Sequence, residues 1–443
     1  MVQDIKKVKA ALSGDSENLK NLLAKYHASE LAIILEQLSQ SAREQIINIL
    51  PIEIASEVIA EMEAESHPER LFENLDDKLV SNIVEELDAD DATDLISQLS
   101  IERREKILKG ISPEDASSIR QLLSYAADSA GGIMNSQMIR LHYSLTKKEA
   151  IEEIIRQSEE MEEFYTIYVV DNVNRLLGSI SLKNIIKAKQ NSVLENLMQT
   201  DLIFVLPETD QEEVAALLSQ YNLPGIPVVD SNHILLGKVT FDDIIDVMEE
   251  ETTEDILKIA GVSDDEELTG NWKKAVKSRL PWLIVNLGTA FLAGLVVLAF
   301  SSTIKSLTIL AVFMPIIAGM GGNAGTQALA VTVRRISLSS LPDSAIFKTV
   351  LKEFLVGLFN GVIVGFIACI VAIIFNQTWM LGLVVFLAMS GNLIIAGIAG
   401  VSVPIILEKL GFDPAVASSI FITTCTDTLG FTLLLGIGSW LLL

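Results

Sequence analysis

The segment PAVASSIFITTCTDTLGFTLLLGIGSWLL, Pro414–Leu442, decides how this chain is read. It is apolar almost throughout, and Asp427 is its sole charge. A bilayer requires about 17–25 such residues in a row. A carboxylate at mid-span costs roughly 2.5–3.5 kcal/mol on insertion scales, so it faces a bundle interior or a wet path rather than lipid. A protonated or hydrogen-bonded structural Asp is the other reading. Thr423, Thr424 and Thr428 extend a polar stripe beside it. Asp413 lies fourteen residues earlier, about 21 Å away if one helix carries both. One carboxylate at an entrance and one at mid-depth describe a cation path.

Four further apolar spans precede it, at 281–303, 307–331, 350–375 and 380–406, with the last span at 414–442. The N-terminus MVQDIKKVKA is charged and unlike a signal peptide. Lys273, Lys274, Lys277 and Arg279 precede the first span, and Arg334, Arg335, Lys348 and Lys352 flank the second connection. The opposite loops hold Lys305 alone or no charge. Short-loop Lys and Arg mark the cytosolic side. The expectation is a multi-pass protein of the cell (plasma) membrane, N-terminus cytosolic and C-terminus outside. Inside the second span, PIIAGMGGNAGTQ (Pro315–Gln327) concentrates Gly319, Gly321, Gly322 and Gly325. These predict a loosened helix whose carbonyls, with Asn323, make an all-oxygen environment of the kind hard divalent cations prefer. Close packing by small residues is the alternative. Asn360 and Asn392 are isolated intramembrane amides, suited to helix–helix hydrogen bonding.

The rest of the chain is acidic. The 443 residues carry 33 Lys and Arg against 58 Asp and Glu, a net charge of −25. Residues 271–443 hold 10 basic and 5 acidic side chains, and residues 1–270 hold 23 and 53. That balance argues against a nucleic-acid partner, which requires a basic face. Cys369 and Cys425 exclude a disulfide framework, and the four histidines lack metalloprotease spacing.

Two copies of one unit follow each other in residues 134–250. YVVDNVNRLLGSISLKNII (168–186) matches PVVDSNHILLGKVTFDDII (227–245) at an offset of 59, and the upstream parts match at 64. Each copy reads strand, helix, strand, strand, helix. The pair resembles a tandem CBS module, which often binds adenine nucleotides. The ribose-contacting pattern of that family, a hydroxyl residue three before an Asp, stands here as Thr240 and Asp243. In the first copy it reads Ser181 and Asn184, a departure that argues against nucleotide there. A dimerisation scaffold is the competing role.

Residues 1–130 repeat short amphipathic segments: ASELAIILEQL, IEIASEVIAEM, DDKLVSNIVEEL, DADDATDLISQL, SPEDASSIRQLL. Ser, Asp and Pro-Glu starts mark helix beginnings, and the whole predicts a small α-solenoid. Asp90, Asp91 and Asp94 open one helix, where acidic residues also favour the helix dipole. FDDIIDVMEEETTED (Phe241–Asp255) holds eight acidic residues and no basic one. Its i, i+4 like-charge pairs each cost roughly 0.2–0.5 kcal/mol. It is either a solvated face or a helix that packs only when cations screen it.

In that order, these parts resemble the MgtE family of magnesium channels, through PIIAGMGGNAGTQ, TDTLG, AGGIM (Ala130–Met134) and TTEDILKIAGV (Thr252–Val262). The resemblance implies a multidomain protein: an acidic helical solenoid at 1–132, CBS units at 133–195 and 196–250, a connecting plug helix at 251–280 and a five-helix transmembrane pore domain at 281–443. It implies a homodimer with the pore between the second and fifth helices of both chains. Asp427 would bind hydrated Mg2+, with Asn323, Gly322 and Asp413 along the pore. Regulatory Mg2+ would sit at Asp90, Asp94, Gly131 and Asp243, and further at Glu212, Glu254 and Asp255, closing the pore when cytosolic Mg2+ is high. Asn222 departs from an expected acidic residue. ATP at Thr240 and Asp243 is the possible second ligand.

Mg2+ holds octahedral water and dehydrates reluctantly, so outer-sphere oxygen acceptors suit it. No Walker A motif occurs, so gradient and potential drive flux, and the chain reads as a non-enzyme. A secondary transporter of Mn2+ or Co2+, with or without proton coupling through Asp427, and a membrane sensor without transport are the competing readings.

Overall fold

The computed structural model describes residues 2–12, 16–63, 66–158, 166–262, 272–338, 343–376, 378–416 and 418–443. It divides into two units, Met1–Met248 and Glu249–Leu443.

The first unit begins with short helices: α1 (Val2–Ala11), α2 (Ser16–Leu23), α3 (Ala28–Glu36), α4 (Gln40–Ile47), α5 (Ile52–Ala60), α6 (Glu69–Asn74), α7 (Asp77–Glu86), α8 (Ala89–Ser97), α9 (Ile101–Leu108) and α10 (Pro113–Leu122). Helices this short are marginal alone in water. They hold by stacking: α3 on α5, α5 on α7, α7 on α9, and α8 on α10. Leu31, Leu35, Ile46, Phe72, Ile83 and Ile96 are fully buried between them, each worth about 1.5–3 kcal/mol relative to exposure. Asp76, Ser100 and Ser112 cap α7, α9 and α10. Arginines close the carbonyl ends. Arg43 of α4 donates to Leu35 O at 2.9 Å and Glu36 O at 2.8 Å. Arg104 of α9 donates to Ile96 O at 3.1 Å and to Ser97 O. The expected solenoid is present, and the two arginines occupy equivalent places in it.

The repeated units follow. The first copy has β1 (Arg140–His142), α11 (Lys147–Ser158), β2 (Ile167–Val170), β3 (Leu176–Ile180) and α12 (Leu182–Lys187). Strand β2 is central, parallel to β1 and antiparallel to β3. The second copy has α13 (Gln211–Tyr221), β4 (Gly225–Val229), β5 (Leu235–Thr240) and α14 (Phe241–Ile259). Its first strand is reduced to one parallel bridge, Val205 to Val228. Asn222 ends α13 in the left-handed conformation, φ 51°. Asn tolerates that conformation better than most residues, which gives this departure from the expected acidic residue a structural reason.

The two copies exchange edges. Asn135, at the start of the first copy, bonds Lys238 of β5 in both directions at 2.8 and 2.9 Å. Gln199, at the start of the second copy, bonds Ser179 of β3 at 2.8 and 3.0 Å. The crossing needs a glycine in each copy. A Cβ on Gly178 would stand 2.7 Å from Gln199 O, and one on Gly237 2.7 Å from Met134 Sδ. Arg175 and Ile234, equivalent in the repeat, pair with each other. They mark the pseudo-twofold axis.

In the second unit, α14 ends in a Schellman turn. Gly261 has φ 73°, Val262 N donates to Leu257 O at 3.0 Å and Gly261 N to Lys258 O at 2.9 Å. Helix α14 is continuous from Phe241 to Ile259, so the last helix of the second repeat runs on into the connecting segment. The membrane region holds α15 (Trp272–Ala299), α16 (Ser301–Ser306), α17 (Leu310–Leu338), α18 (Asp343–Asn376), α19 (Trp379–Lys409) and α20 (Ser418–Leu442). By length and composition α15, α18, α19 and α20 are long and apolar enough to cross a membrane. Helix α17 is 29 residues long and packs on α19 and α20, with its glycines, Asn323 and Gln327 near mid-length. The tightest pair is α18 with α19. Cβ atoms on Gly357, Gly361 and Gly365, one per turn of α18, would lie within 2.6–2.9 Å of Leu393 O, Ser390 Cα and Ser390 Oγ. Small residues of this kind let membrane helices approach to backbone contact.

The expected break in the second span is absent. Helix α17 runs unbroken through Pro315–Gln327. Its glycines serve packing instead: a Cβ on Gly321 would fall 2.3 Å from Asn392 Nδ2, and one on Gly325 2.3 Å from Ile422 Cγ2.

Candidate functional site

Helix α20 holds Asp427 about midway along its length, half-buried. The neighbouring hydroxyls are bound to their own backbone. Thr423 donates to Ser419 O at 3.0 Å, Thr424 to Ile420 O at 2.6 Å and Thr432 to Thr428 O at 2.7 Å. Such bonds to the preceding turn satisfy a hydroxyl inside a helix. Thr428 Oγ1 is buried without a partner. Among the described residues no hydrogen bond or ion pair engages Asp427. Its carboxylate is thus presented, not absorbed into the helix packing.

Helix α17 meets α20 with two different faces. Gly321 and Gly325 are closed by Asn392, Thr426 and Ile422. A Cβ on Gly322 would touch only Thr423 Cγ2, at 3.7 Å, and one on Gly319 would meet nothing within 4 Å. Thr423 is one turn from Asp427 on the same face of α20. Gly322 therefore lies against the face that carries Asp427, and Asn323 beside it is exposed. Gly322 O accepts from Thr326 Oγ1 at 3.0 Å. On an unbroken helix the carbonyls stay in the backbone ladder, so the expected oxygens freed by a break are not found, and Asn323 remains as an exposed side-chain amide.

Asp413 corrects a second expectation. It lies in the turn before α20, not on that helix, so no single helix carries both carboxylates. Both its oxygens are engaged: Oδ1 accepts from Ala415 N at 2.7 Å and Oδ2 from Lys258 Nζ at 2.6 Å. Lys258 also pairs with Glu254, one turn back on α14. Asp255 follows on the same helix. Beside Lys258, Ile259 packs on Leu329, Val333, Ala399, Ala415 and Ile422.

Of the residues expected to bind regulatory Mg2+, Asp90, Asp94, Gly131, Glu212 and Asp243 fall in the first unit, and Glu254 and Asp255 in the second. Asp90 in α8 is buried, and its Oδ1 has no partner. Burial, with the charges of Asp91, Asp243 and Asp88, holds its carboxyl well above the usual range. Asp91 is pushed up to about 7 by burial and by Asp88, Asp243, Asp94 and Asp246. Burial also raises Asp243, against the lowering effect of its hydrogen bonds from Thr240. Carboxylates that face each other out of water resist joint ionisation. Asp94 is exposed on the same helix, and Glu212 stands in the first turn of α13. Gly131 donates N–H to Pro207 O at 2.9 Å, and its Cα lies under the Tyr125 ring, where a Cβ would come within 2.6 Å. Among the described residues no three His, Cys, Asp or Glu side chains converge as a metal cage. The donors suit a cation that keeps its water, as Mg2+ does.

Thr240 and Asp243 are brought together by each other. Asp243 Oδ2 accepts from Thr240 N at 3.2 Å and from Thr240 Oγ1. This is the backbone half of a capping box at the start of α14. Sequence reading gave no role to Asp246 or Lys258 and committed to Asp94 rather than Asp91, whereas the helix–helix hydrogen bond expected of Asn392 is present, to Ile317 O at 2.9 Å. The run DADD was visible, but which of its carboxylates is buried depends on α14 packing against α8.

Known proteins match this layout part by part. The MgtE profile, described as a divalent cation transporter, matches residues 314–437. The MgtE intracellular N domain matches 26–128, and CBS domains match 130–191 and 194–250. The magnesium transporter MgtE of Bacillus subtilis is 31% identical over 96% of this chain and 94% of its own. This chain belongs to the MgtE family. The MgtE of Thermus thermophilus is 30% identical, covering 98% of this chain and 97% of that one. The MgtE of Enterococcus faecalis is 38% identical over 71% and 69%. A crystal structure of the soluble part of a magnesium transporter aligns with a TM-score of 0.51 at 27% identity, over 56% of this chain and 98% of that one. The cytosolic domain of the Mg2+ channel MgtE in complex with ATP aligns equally well, at 29% identity over 54% and 97%.

Proposed function

We propose that this MgtE protein conducts Mg2+ into the cytosol through a pore lined by α17 and α20, and that cytosolic Mg2+ closes it. The observation that carries the reading is Asp427: an intramembrane carboxylate, half-buried, unpaired among the described residues, and one turn from Thr423, against which Gly322 lies. An intramembrane carboxylate marks an ion path by default. One such group is a thin donor set for an octahedral hydrated ion, so a second copy supplies the other half and the pore lies on a homodimer axis. The N-terminus is then cytosolic and the C-terminus outside, in the cell membrane. No titratable partner bonds Asp427 among the described residues, so a proton relay finds no support.

Closure follows from the acidic unit. Asp90, Asp91, Asp243 and Asp246 repel when ionised, and Mg2+ between them favours the compact arrangement. Asp94, Gly131 and Glu212 contribute outer ligands, and Glu254 and Asp255 act on the connecting helix. Moving a two-state equilibrium from 1:99 to 99:1 takes about 5.5 kcal/mol of differential binding, which several weak sites supply together. The likeness to an ATP-bound relative supports a nucleotide near Thr240 and Asp243. Electrical recording with Mg2+ varied separately on each side tests the whole reading. Inward current carried by external Mg2+ and suppressed by cytosolic Mg2+ is expected; current that ignores cytosolic Mg2+ would remove the feedback.

A further inference from the structure

We infer that Lys258 is a resident cation that docks the connecting helix without Mg2+. Its ammonium lies between two carboxylates from different elements, Glu254 of α14 and Asp413 before α20. The Lys258 side chain is 24% exposed and that of Asp413 32%, so the pair is largely withdrawn from water. Screening by salt is weaker there than at a free surface. The arrangement is fixed from both ends. Asp413 is held in place by its bond from Ala415 N. On the other side, Lys258 is followed by Ile259, seated among Leu329, Val333, Ala399, Ala415 and Ile422. The Schellman turn at Gly261 then stops the helix one turn further on.

The chemistry is that of a bridging cation. A divalent ion joining an acidic helix to an acidic turn neutralises both and brings them together. Lys258 does the same with one charge, tethered and always present. Glu254 and Asp413 are therefore partly neutralised before any Mg2+ arrives. Lys258 is a positioning residue: it acts on the pore through the α14–α20 contact and touches no permeating ion. This rests on the channel reading above, in which docking of α14 accompanies closure. Closure then has two components, one set by Mg2+ at the acidic sites and one set by Lys258 that survives chelation.

Two measurements separate this from the channel reading. The first needs no conduction. In the full chain, cysteines are placed at 259 and 415, which share one apolar cluster beside the intact Lys258–Asp413 pair, with Cys369 and Cys425 changed to Ser, and a bifunctional thiol reagent is applied in membranes. Ready cross-linking in chelator is expected; cross-linking that appears only when Mg2+ is added would show that the divalent ion does the docking and overturn the inference. The second is open probability with cytosolic Mg2+ chelated. Lys258→Gln should raise it about tenfold, and millimolar Mg2+ should still close the variant by bridging the freed carboxylates. The exchange Lys258→Asp with Asp413→Lys should return chelated open probability toward that of the parent. A Lys258→Gln channel as closed in chelator as the parent, or an exchange that restores nothing, would refute the role. If the parent carries no Mg2+ current, the channel reading fails while the cross-link still reports on Lys258.

Discussion

Gly321 of α17 lies directly beneath the amide of Asn392 in α19, so close that a methyl group on Gly321 would stand 2.3 Å from Asn392 Nδ2. The amide donates to Ile317 O at 2.9 Å and is completely buried, and Gly430 of α20 closes on it from another side. A polar group inside a membrane bundle thus ties three helices at one level. Overpacking such a site typically costs about 1–3 kcal/mol. Gly321→Ala should lower the melting temperature of the detergent-solubilised protein by several degrees. Gly319→Ala, whose added carbon meets nothing within 4 Å, should not. Equal melting of the two would contradict the packing described.

Asp427→Asn separates charge from structure. Among the described residues no bond holds Asp427, so the variant should melt at or above the temperature of the parent. Mg2+ uptake into loaded vesicles should nevertheless fall by an order of magnitude or more, since the group facing the path loses its charge. Full uptake in a well-folded variant would move the ion path elsewhere.

The buried carboxyls make the cytosolic unit sensitive to pH. Asp91 binds its proton up to about 7 in the folded chain, against an ordinary value of 3.8. Across that window the folded state holds more protons than the unfolded one. Stability therefore falls as pH rises from about 4 to about 7. In chelator, the full chain should resist protease at α8 and α14 better at pH 5.5 than at pH 8. Mg2+ at pH 8 should restore resistance, whereas sodium at matched ionic strength should not. Asp91→Asn should flatten the pH dependence. A profile that Asp91→Asn leaves unchanged would assign the titration to another group.

Gly178 and Gly237 give a paired test. Each sits where a neighbouring strand crosses to the other repeat, and a Cβ on either would fall 2.7 Å from its nearest atom. Gly178→Val and Gly237→Val should each destabilise the cytosolic unit, by about 1–3 kcal/mol. Chemical denaturation followed by circular dichroism would show it. Two variants of parental stability would mean the exchanged edges yield easily.

Much of the layout was legible because it rests on periodicity. Repeats at fixed offsets disclosed the paired units, and apolar runs disclosed the membrane helices. The segment Pro315–Gln327 misled for a physical reason. Glycine both loosens a helix and lets another helix approach, and composition alone does not say which. Gly321 and Gly325 are one turn apart, a spacing that already favoured packing. The same spacing in Gly357, Gly361 and Gly365 was overlooked. Asp413 was assigned by counting along a helix that starts only at Ser418. Lys258 lies three residues beyond the acidic run, inside TTEDILKIAGV, and nothing in that local pattern assigns it a role. Its role depends on a turn 155 residues away, and separation of that kind is invisible to local pattern.

The exchanged edges in the cytosolic unit constrain how the repeat can be taken apart. Asn135 completes the second copy and Gln199 completes the first, so neither copy is a finished module. A fragment ending between them would bare an unpaired strand edge, which invites a foreign strand. The duplication is consequently locked: one copy cannot be lost, shuffled or replaced without orphaning the other, and severed halves should reassociate in trans.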